Sequence, residues 1–336
     1  MFETIHSSIL SCIGNTPIVR LERLFADYPQ TVLTKLEMLN PGGSVKDRPA
    51  RYMLEQGIAN GTINDNSHII ESSSGNLAIA LAMSCLQLGL LFTAVVDPKI
   101  SPTNLKLLEI FGAKVVQVTE KDCNNGYLLT RINTVNQLLL STPNAVWINQ
   151  YANPDNWRSH YYGEAEEILQ QVAAPIDYLV IGASTSGTLM GISRRLKEAY
   201  PQMRVIAVDI VGSVLFGGHS APRELPGIGA SRVPELLNAS EVDDVIYVDD
   251  YESAMACHRL VKTESIFAGG SSGSAVAAIE KLLPQIPANS TILTLFADRG
   301  DRYLDLVYDQ DWLNMVKANH EQSLRAQTPF LIEKTA

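Results

Sequence analysis

The sequence predicts an α/β protein with two units that each contain a mostly parallel sheet, and with its functional site in the cleft between them. Two observations predict this class. Short apolar runs alternate with longer helical segments along most of the chain, which is typical of parallel sheets covered on both faces. The loops after several of these runs are rich in Ser, Thr and Gly. Ligands of open α/β sheets bind where such loops run into helix N-termini.

The first series of elements extends to residue 149. Each predicted strand is a short run rich in Val, Ile or Phe, and each predicted helix is a longer segment with apolar residues at helical spacing. The strands are predicted at 18–21, 32–37, 68–71, 92–96, 114–118 and 145–149, and the helices from near Ser44 and at 77–88, 102–111 and 127–140. The apolar run 77–96 is predicted to be a buried helix closed by Gly89 and then a buried strand, rather than a membrane span.

A second series of the same kind follows. Its strands are predicted at 177–182, 205–209, 245–248 and 291–296, and its helices at 161–172, 189–199, 251–261 and after the loop 268–274. Residues 210–240 have little periodicity and many Gly, Pro and Ser residues, which indicates a functional loop region. We expect two α/β units in succession and a disordered tail at 319–336.

Composition excludes several classes of function. Of the 336 residues 46% are hydrophobic and 18% are charged, as in soluble globular proteins. The net charge of −10 and pI near 5.1 argue against a nucleic-acid or anionic-membrane surface. The four Cys residues contain no Cys-x-x-Cys pair and the six His residues lack metal-binding spacing, so we predict reduced thiols and no metal site. The N-terminus lacks a secretory pattern. We expect a cytoplasmic protein.

Lys46 is the strongest candidate for a reactive group. It lies in the loop 40–48, at or near the start of a helix. The positive end of that helix and burial would both lower the pKa of the ammonium group, which suits Schiff-base chemistry. Taken alone, the same pattern is typical of a solvated lysine in a capping turn.

Three other loops lie directly before predicted helices. The loop 184–188 offers hydroxyls, backbone N–H groups and a positive helix end, as a phosphate site requires. The loop 73–76 could bind a carboxylate, with the Asn76 amide on a ring oxygen, and the loop 269–274 places hydroxyls before another helix. Each loop alone is equally typical of an ordinary helix cap. Together, a reactive lysine, a phosphate cup, a carboxylate loop and a hydroxyl loop describe a pyridoxal-phosphate site.

The chain resembles the cysteine synthase/cystathionine β-synthase family, whose members are fold type II pyridoxal-phosphate enzymes. The resemblance rests on motifs in family order between residues 10 and 310, at 13–17, 40–48, 73–76, 149–151, 184–188, 227–230 and 269–273. It implies a Schiff base at Lys46, contacts from Asn76 to the cofactor 3′-oxygen and from Ser271 to the pyridine nitrogen, and a substrate that loses its β-substituent to a second nucleophile. Further residues are implied in phosphate binding, namely Ser184, Thr185, Ser186, Gly187 and Thr188.

The resemblance also implies how the substrates bind. The amino-acid carboxylate would contact Ser73, Ser74, Gly75 and Gln150, with Lys46 abstracting the α-proton to give an aminoacrylate. Where sulfide-using members have other residues, this chain has Leu77-Ala78, Tyr151 and Ser184. Those differences, with segments 97–104, 152–153 and 223–232, resemble the subgroup that joins O-phospho-L-serine to L-glutamate in siderophore biosynthesis, on the way to 2,3-diaminopropionate.

A leaving phosphate and a dicarboxylic nucleophile both require cations. Arg131, Arg223 and Arg232 are candidates, although each is equally compatible with a surface ion pair. We expect Tyr151 and Gly229 to line the substrate site with Arg131 and Arg232. The alternatives are a cysteine synthase that uses sulfide with O-acetylserine or O-phosphoserine, and a non-catalytic protein that keeps the fold. The resemblance suggests a homodimer. It also implies a large cofactor-binding domain formed by 1–41 and 149–318 and a smaller mobile substrate domain formed by 42–148.

Overall fold

The computed structural model describes residues 5–123 and 126–327. Its strands form two separate sheets, and each sheet has helices on both faces. The larger sheet has the order β1-β2-β10-β7-β8-β9 and the smaller sheet the order β5-β4-β3-β6. All neighbouring strands are parallel except the pair β1 and β2. The strands are β1 (Ile18–Arg20), β2 (Thr31–Leu36), β3 (His68–Ser72), β4 (Leu91–Val96), β5 (Lys114–Gln117), β6 (Ala145–Trp147), β7 (Tyr178–Gly182), β8 (Arg204–Ile210), β9 (Asp244–Val248) and β10 (Thr291–Phe296).

The helices follow the strands along the chain. They are α1 (Asp47–Ala59), α2 (Asn76–Leu88), α3 (Pro102–Ile110), α4 (Leu128–Ser141), α5 (Asp155–Ser159), α6 (Ala165–Gln171), α7 (Gly187–Ala199), α8 (Asp250–Glu264), α9 (Gly270–Leu282) and α10 (Gln310–Gln327), with a π-helical turn, His160–Glu164, between α5 and α6. No helix in the described part of the chain combines the length and the apolar character needed to cross a membrane.

The central strands of the larger sheet have apolar side chains on both faces, and this explains why the sheet is buried on both sides. Ile206 and Val208 of β8 pack into one apolar cluster with α8, α9 and α10. Val205 and Ala207 of the same strand pack into another cluster with α6 and α7. Successive side chains of a strand point to opposite faces, so a continuous apolar run serves both layers. The expected α/β class and mostly parallel sheets are confirmed.

The run 77–96 folds as its pattern predicts. Helix α2 ends at Leu88, and Gly89 follows with a positive φ of 72°, the left-handed conformation that glycine adopts without strain. Strand β4 then begins at Leu91 and is buried from Phe92 to Val96.

Three predicted elements are corrected. The helix expected at 161–172 is preceded by α5 and the π-helical turn, so the helical segment starts at Asp155. The loop expected at 268–274 is largely the first turn of α9, because small residues let this helix pack closely on α8. The tail expected to be disordered from residue 319 continues as α10 to Gln327, because Trp312 and Val316 anchor that helix in the core. Residues 328–336 of the expected tail lie outside the described residues.

The strands of the smaller sheet lie within the expected domain 42–148, and those of the larger sheet lie in 18–36 and 178–296. The domain boundaries themselves stay a prediction.

Candidate active site

Lys46 lies at the N-terminus of α1, directly after the loop 40–45. The Gly43 N–H donates to the Asn40 carbonyl at 2.8 Å, and Gly43 adopts a φ of 82° to close this turn. The Val45 N–H donates to the carbonyl of Ala297, the residue after β10, at 2.7 Å. The loop is therefore attached to the carboxyl edge of the larger sheet, and Lys46 is placed there.

The environment of Lys46 lowers the pKa of its amine. Burial has the largest effect, and it outweighs the attraction of the buried carboxyl groups of Asp298, Glu164 and Glu37 for the protonated form. A larger share of the side chain is thus in the neutral, nucleophilic form than for a lysine in water. The sequence argument for a lowered pKa has the same direction.

The loop 184–188 forms a cup between β7 and α7. Ser186 has a φ of 68°, which turns the chain sharply into the helix. Gly187 lies so close to Asn156 that a Cβ atom would be 2.1 Å from the Asn156 Oδ1. A side chain at this position would displace the loop, so the glycine is required by close packing.

One cavity brings most of the predicted cofactor residues together. It is lined by Lys46, Ser184, Thr185, Ser186, Thr188 and Ser271, together with apolar residues at the ends of β7 and β10. An amine, hydroxyls and the N-terminus of α7 thus face one space. This donor set fits pyridoxal phosphate, since the phosphate is matched by hydroxyls and a positive helix end, and the aldehyde by the amine.

Ser271 reaches this cavity from the first turn of α9. The neighbouring Ser272 is completely buried, and its Oγ has no hydrogen-bond partner among the described residues. The hydroxyl that faces the cavity is therefore the one that the sequence predicted, although a helix and not a loop presents it.

Asn76 lies at the start of α2, outside the lining of the Lys46 cavity. Its Nδ2 donates to Asp298 Oδ2 at 2.6 Å, and Arg302 donates both to Asn76 Oδ1 and to the Gly42 carbonyl. The Tyr303 hydroxyl donates to the same Asp298 oxygen at 2.7 Å. Sequence reasoning missed Asp298 and Arg302. Their signal was a polar loop directly after β10, at the same sheet edge as the other loops.

The predicted carboxylate-binding residues surround the start of α2 and the end of β6. The Ser74 carbonyl accepts from Asn104 Nδ2 at 3.1 Å, while Ser73 and Gly75 complete the turn into the helix. The Gln150 carbonyl accepts from Asn156 Nδ2 at 2.7 Å. Since Asn156 also packs on Gly187, it connects Gln150 to the phosphate cup. None of these four residues lines the Lys46 cavity.

A second cleft brings two of the predicted arginines together. Its lining includes Arg131, Arg232, Lys99 and Lys121. Arg131 pairs with Asp97 at 3.3 Å, and its buried Nε has no hydrogen-bond partner in the described part of the chain. Cations from both sheet units therefore face this cleft.

The guanidinium of Arg232 connects this cleft to Tyr151. It lies 4.8 Å from the centre of the Tyr151 ring, within the range of a cation–π contact, and it also pairs with Glu235 at 2.8 Å. Burial raises the pKa of Tyr151, which keeps its hydroxyl protonated. Arg232 thus lines the cleft and also contacts the Tyr151 ring.

Gly229 joins the same loop region to the phosphate cup. Its carbonyl accepts from the Ser184 hydroxyl at 3.1 Å, and its N–H donates to the Ala183 carbonyl at 2.7 Å. Gly229 has a φ of 69°, and a Cβ there would be 2.6 Å from Arg223 Nη1. Arg223 itself donates to Ser231 and the Ile228 carbonyl, so it supports this loop.

Comparison with known proteins agrees with the fold and the site. Residues 9–298 match the family described as "Pyridoxal-phosphate dependent enzyme". The chain is 63% identical over 315 residues to an N-(2-amino-2-carboxyethyl)-L-glutamate synthase of Cupriavidus metallidurans, covering 93% of this chain and 92% of the relative. It is 60% identical over 315 residues to a protein of the same name from Ralstonia nicotianae, covering 94% and 93%.

Solved structures of lower identity have the same fold. An O-acetylserine-dependent cystathionine β-synthase from Helicobacter pylori superposes with a TM-score of 0.85 at 33% identity, covering 90% of this chain and 98% of that one. An O-ureido-L-serine synthase gives a TM-score of 0.85 at 33% identity, covering 91% and 96%. With the lysine, the phosphate cup and the two parallel sheets described above, these matches show that the chain is an enzyme with the fold type II architecture and that it belongs to the family of pyridoxal-phosphate dependent enzymes.

Proposed function

We propose that this enzyme replaces the phosphate of O-phospho-L-serine with the amino group of L-glutamate and so forms N-(2-amino-2-carboxyethyl)-L-glutamate and phosphate. The single observation that carries the proposal is the identity of 60–63% over most of the chain to the two relatives that have this name. The cleft with Arg131 and Arg232 supports it independently, because both the leaving group and the nucleophile are anions.

The cofactor would be bound by the residues predicted from the sequence. Lys46 would bind its aldehyde, Ser271 its pyridine nitrogen and Asn76 its 3′-oxygen. The cup would bind its phosphate through Ser184, Thr185, Ser186, Gly187 and Thr188. When bound, pyridoxal phosphate withdraws electrons from the substrate Cα and so weakens the bonds that must break. A hydroxyl at the ring nitrogen, rather than a carboxylate, favours β-elimination over transamination.

Lys46 would also move the α-proton. Its amine is a base only when it is neutral, and burial lowers its pKa in the required direction. The proton taken from Cα would stay on the Lys46 Nζ, where the buried carboxyl of Asp298 would stabilise the charge.

The substrate carboxylate would be bound at the N-terminus of α2. There Ser73, Ser74 and Gly75 present hydroxyls and backbone N–H groups to an anion. Gln150 would complete this site from the end of β6.

The anions that enter and leave would be bound in the second cleft. Arg131 and Arg232 would bind the phosphate of the first substrate and a carboxylate of the second, because a guanidinium matches both groups geometrically. Tyr151, under the Arg232 guanidinium, would orient the substrate through its protonated hydroxyl, and Gly229 would bring the loop close to it.

A competition assay tests the proposal. Purified protein receives O-phospho-L-serine with glutamate, with sulfide, or with both, and phosphate release and product mass are followed. We expect rapid phosphate release and a glutamate adduct. Consumption of sulfide without consumption of glutamate would instead identify a cysteine synthase, and use of O-acetylserine in place of phosphoserine would contradict the proposed leaving group.

Three further expectations belong to this proposal. The product is a precursor for a siderophore that contains 2,3-diaminopropionate, the enzyme is a homodimer, and it acts in the cytoplasm on small amino acids. Light scattering on the purified protein tests the dimer, and fractionation of cells tests the location. The two buried and two exposed cysteines in the structure are all unpaired, which is compatible with a reducing compartment.

A further inference from the structure

A buried histidine and a buried glutamate lie directly behind the phosphate cup. The Glu164 Oε2 is 2.7 Å from His160 Nδ1, and His160 Nε2 is 3.2 Å from the Thr188 Oγ1. Glu164 and His160 are both 0% exposed, and the second carboxyl oxygen of Glu164 has no hydrogen-bond partner among the described residues. The π-helical turn His160–Glu164 places the two side chains side by side.

The charges around Glu164 are already balanced without it. Arg48 binds Glu37 at 2.6 Å and Glu167 at 2.6 Å, and Lys35 binds Glu167 at 2.8 Å. The Lys35 ammonium also donates to the Thr16 carbonyl and to Gln171. Because a protonated amine has three donors, all of the Lys35 hydrogens are used. Two cations thus face two carboxylates.

An ionised Glu164 beside a neutral His160 would add an unpaired buried charge, which costs several kcal/mol. Two arrangements avoid that cost. In one, the protonated carboxyl of Glu164 donates to Nδ1 of a neutral imidazole. In the other, Glu164 is ionised and His160 is doubly protonated. In both arrangements the Nε2 of His160 has a hydrogen.

The pKa shifts favour the first arrangement. Burial, reinforced by the carboxyl groups of Glu37 and Glu167, raises the pKa of Glu164 well above its usual range. Burial has the largest effect on His160 and, together with the nearby guanidinium of Arg48, lowers its pKa well below its usual range. Both shifts favour the neutral forms of the two groups.

We propose that Glu164 and His160 are positioning residues that fix the direction of the Thr188 hydroxyl. The Nε2–H of His160 donates to Thr188 Oγ1, so the Thr188 O–H is left to donate into the cavity that it lines with Lys46. The hydroxyl then acts as a donor to a phosphate dianion. This inference rests on the proposed cofactor phosphate site. It adds that the buried pair of Glu164 and His160, outside the cup, determines that the Thr188 hydroxyl is the donor in its hydrogen bond to the phosphate.

Long-range proton–nitrogen NMR correlation of the [15N]histidine-labelled holoenzyme tests the tautomer directly. The His160 signal is assigned by its loss in His160→Asn. We expect an imidazole with its proton on Nε2. A neutral imidazole with its proton on Nδ1 would overturn the proposal.

Cofactor affinity tests the consequence. Glu164→Ala removes the donor to Nδ1, and we expect a roughly fivefold to tenfold increase in the dissociation constant of pyridoxal phosphate, the effect of about one hydrogen bond. The affinity for pyridoxal, which lacks the phosphate, should not change. Equal weakening of both ligands, or of neither, would overturn the proposal, because a merely structural role does not distinguish them.

Two variants serve as controls. Glu164→Gln retains an N–H that can donate to Nδ1 and should bind pyridoxal phosphate like the wild type. If the alanine variant does not fold, loss of pyridoxal phosphate affinity in Glu164→Gln would overturn the proposal. Glu166→Ala removes a carboxylate two residues away that pairs with Arg195 on the surface and should change neither affinity. These affinity measurements use no amino-acid substrate. A negative result would therefore overturn the positioning role of Glu164 and His160, while the proposed β-replacement is decided separately by the competition assay.

Discussion

Lys46 is chemically useful only while its amine is neutral, and the fold produces this condition through burial rather than through a neighbouring cation. Buried carboxyls from two other segments, Asp298 and Glu37, oppose the shift. Lys46 can therefore take up a proton without leaving an isolated charge in the interior.

Lys46→Ala should abolish the yellow absorbance of the bound cofactor, because no other amine of residues 5–123 and 126–327 lines the cavity. Phosphate release from phosphoserine should fall by about 10³-fold or more, since both the attachment point and the base are lost. Absorbance spectra and a phosphate assay measure the two effects. Lys262→Ala, at an exposed position of α8, is the control. A variant that stays yellow would refute the assignment of Lys46.

Of the two arginines in the second cleft, Arg131 has fewer competing contacts than Arg232, which contacts both Glu235 and Tyr151. The Arg131 side chain is 13% exposed, and Asp97 at 3.3 Å is its ion-pair partner. Arg131→Gln should raise the KM for phosphoserine or for glutamate by about tenfold or more, as expected for a lost charge-assisted hydrogen bond. Steady-state kinetics with each substrate varied in turn identify the anion that it binds.

Arg158→Gln is the matched control for this experiment. Arg158 is a half-exposed arginine of α5 that pairs with Asp155, so neither KM should change. If Arg131→Gln also leaves both KM values unchanged, Arg131 does not bind a substrate anion.

At the scale of elements, the start of α1 contains an electrostatic conflict. Asp47 is fully buried at the first residue of the helix, and its Oδ2 accepts from the Gly42 N–H at 2.5 Å. Burial raises its pKa to about 7. The carboxyl connects the loop to the helix, but its ionised form is unfavourable there.

The stability of the wild type relative to Asp47→Asn should therefore depend on pH. In the unfolded chain this carboxyl ionises near 3.8, whereas in the fold it ionises near 7. The folded state thus binds the proton more tightly, and wild-type stability falls as the pH rises between these values and is level above them. The loss relative to Asp47→Asn should be on the order of 4 kcal/mol. Denaturant titrations at pH 5 and pH 8 should show about 2.7 kcal/mol of this loss, the part that falls between those two pH values. A difference that is independent of pH would refute the shift.

Helix α10 shows how a terminal segment becomes part of the core. Trp312 is 8% exposed and packs into the cluster on the outer face of the larger sheet, whereas Met315 on the same helix is 42% exposed. Trp312→Ala should lower the free energy of unfolding by about 3 kcal/mol or more, and Met315→Ala by less than about 0.5 kcal/mol. Equal effects would mean that α10 contributes little to the fold.

The regular elements could largely be predicted from the sequence because their apolar patterns are local. The strand 291–296 has the predicted bounds, and β4 differs from its prediction by one residue. Helix α10 was missed because its apolar residues are sparse, and its stability depends on packing against α8. The π-helical turn was missed because its His160 side chain bonds to Thr188, which is distant in sequence.

At the scale of the molecule, the sequence predicted that several polar loops meet at one edge of a sheet, because parallel strands bring their carboxyl ends together there. In the structure Lys46, Ser271 and the residues of the 184–188 cup other than Gly187 line one cavity, while their roles stay predictions. The supporting residues could not be predicted in this way. Asp298 and Arg302 reach Asn76 across more than 200 positions of sequence, and such contacts depend on how the two sheet units meet.

The buried contacts of α1 change which body we expect to move when a substrate binds. The expected mobile domain 42–148 includes α1, yet Arg48 of this helix binds Glu37 and Glu167 of the larger unit at 2.6 Å. Breaking such a buried pair costs about 3–5 kcal/mol, which is comparable to the few kcal/mol that separate conformers in a typical closure.

We therefore expect α1 to stay with the larger sheet, while strands β3 to β6 and their helices move towards it. Crystals grown with and without phosphoserine, superposed on the larger sheet, test this. The Arg48 contacts should be retained in both, and the smaller sheet should shift as a body. Movement of α1 together with that sheet would instead place the hinge before Lys46, and the cofactor lysine would then move relative to its phosphate cup.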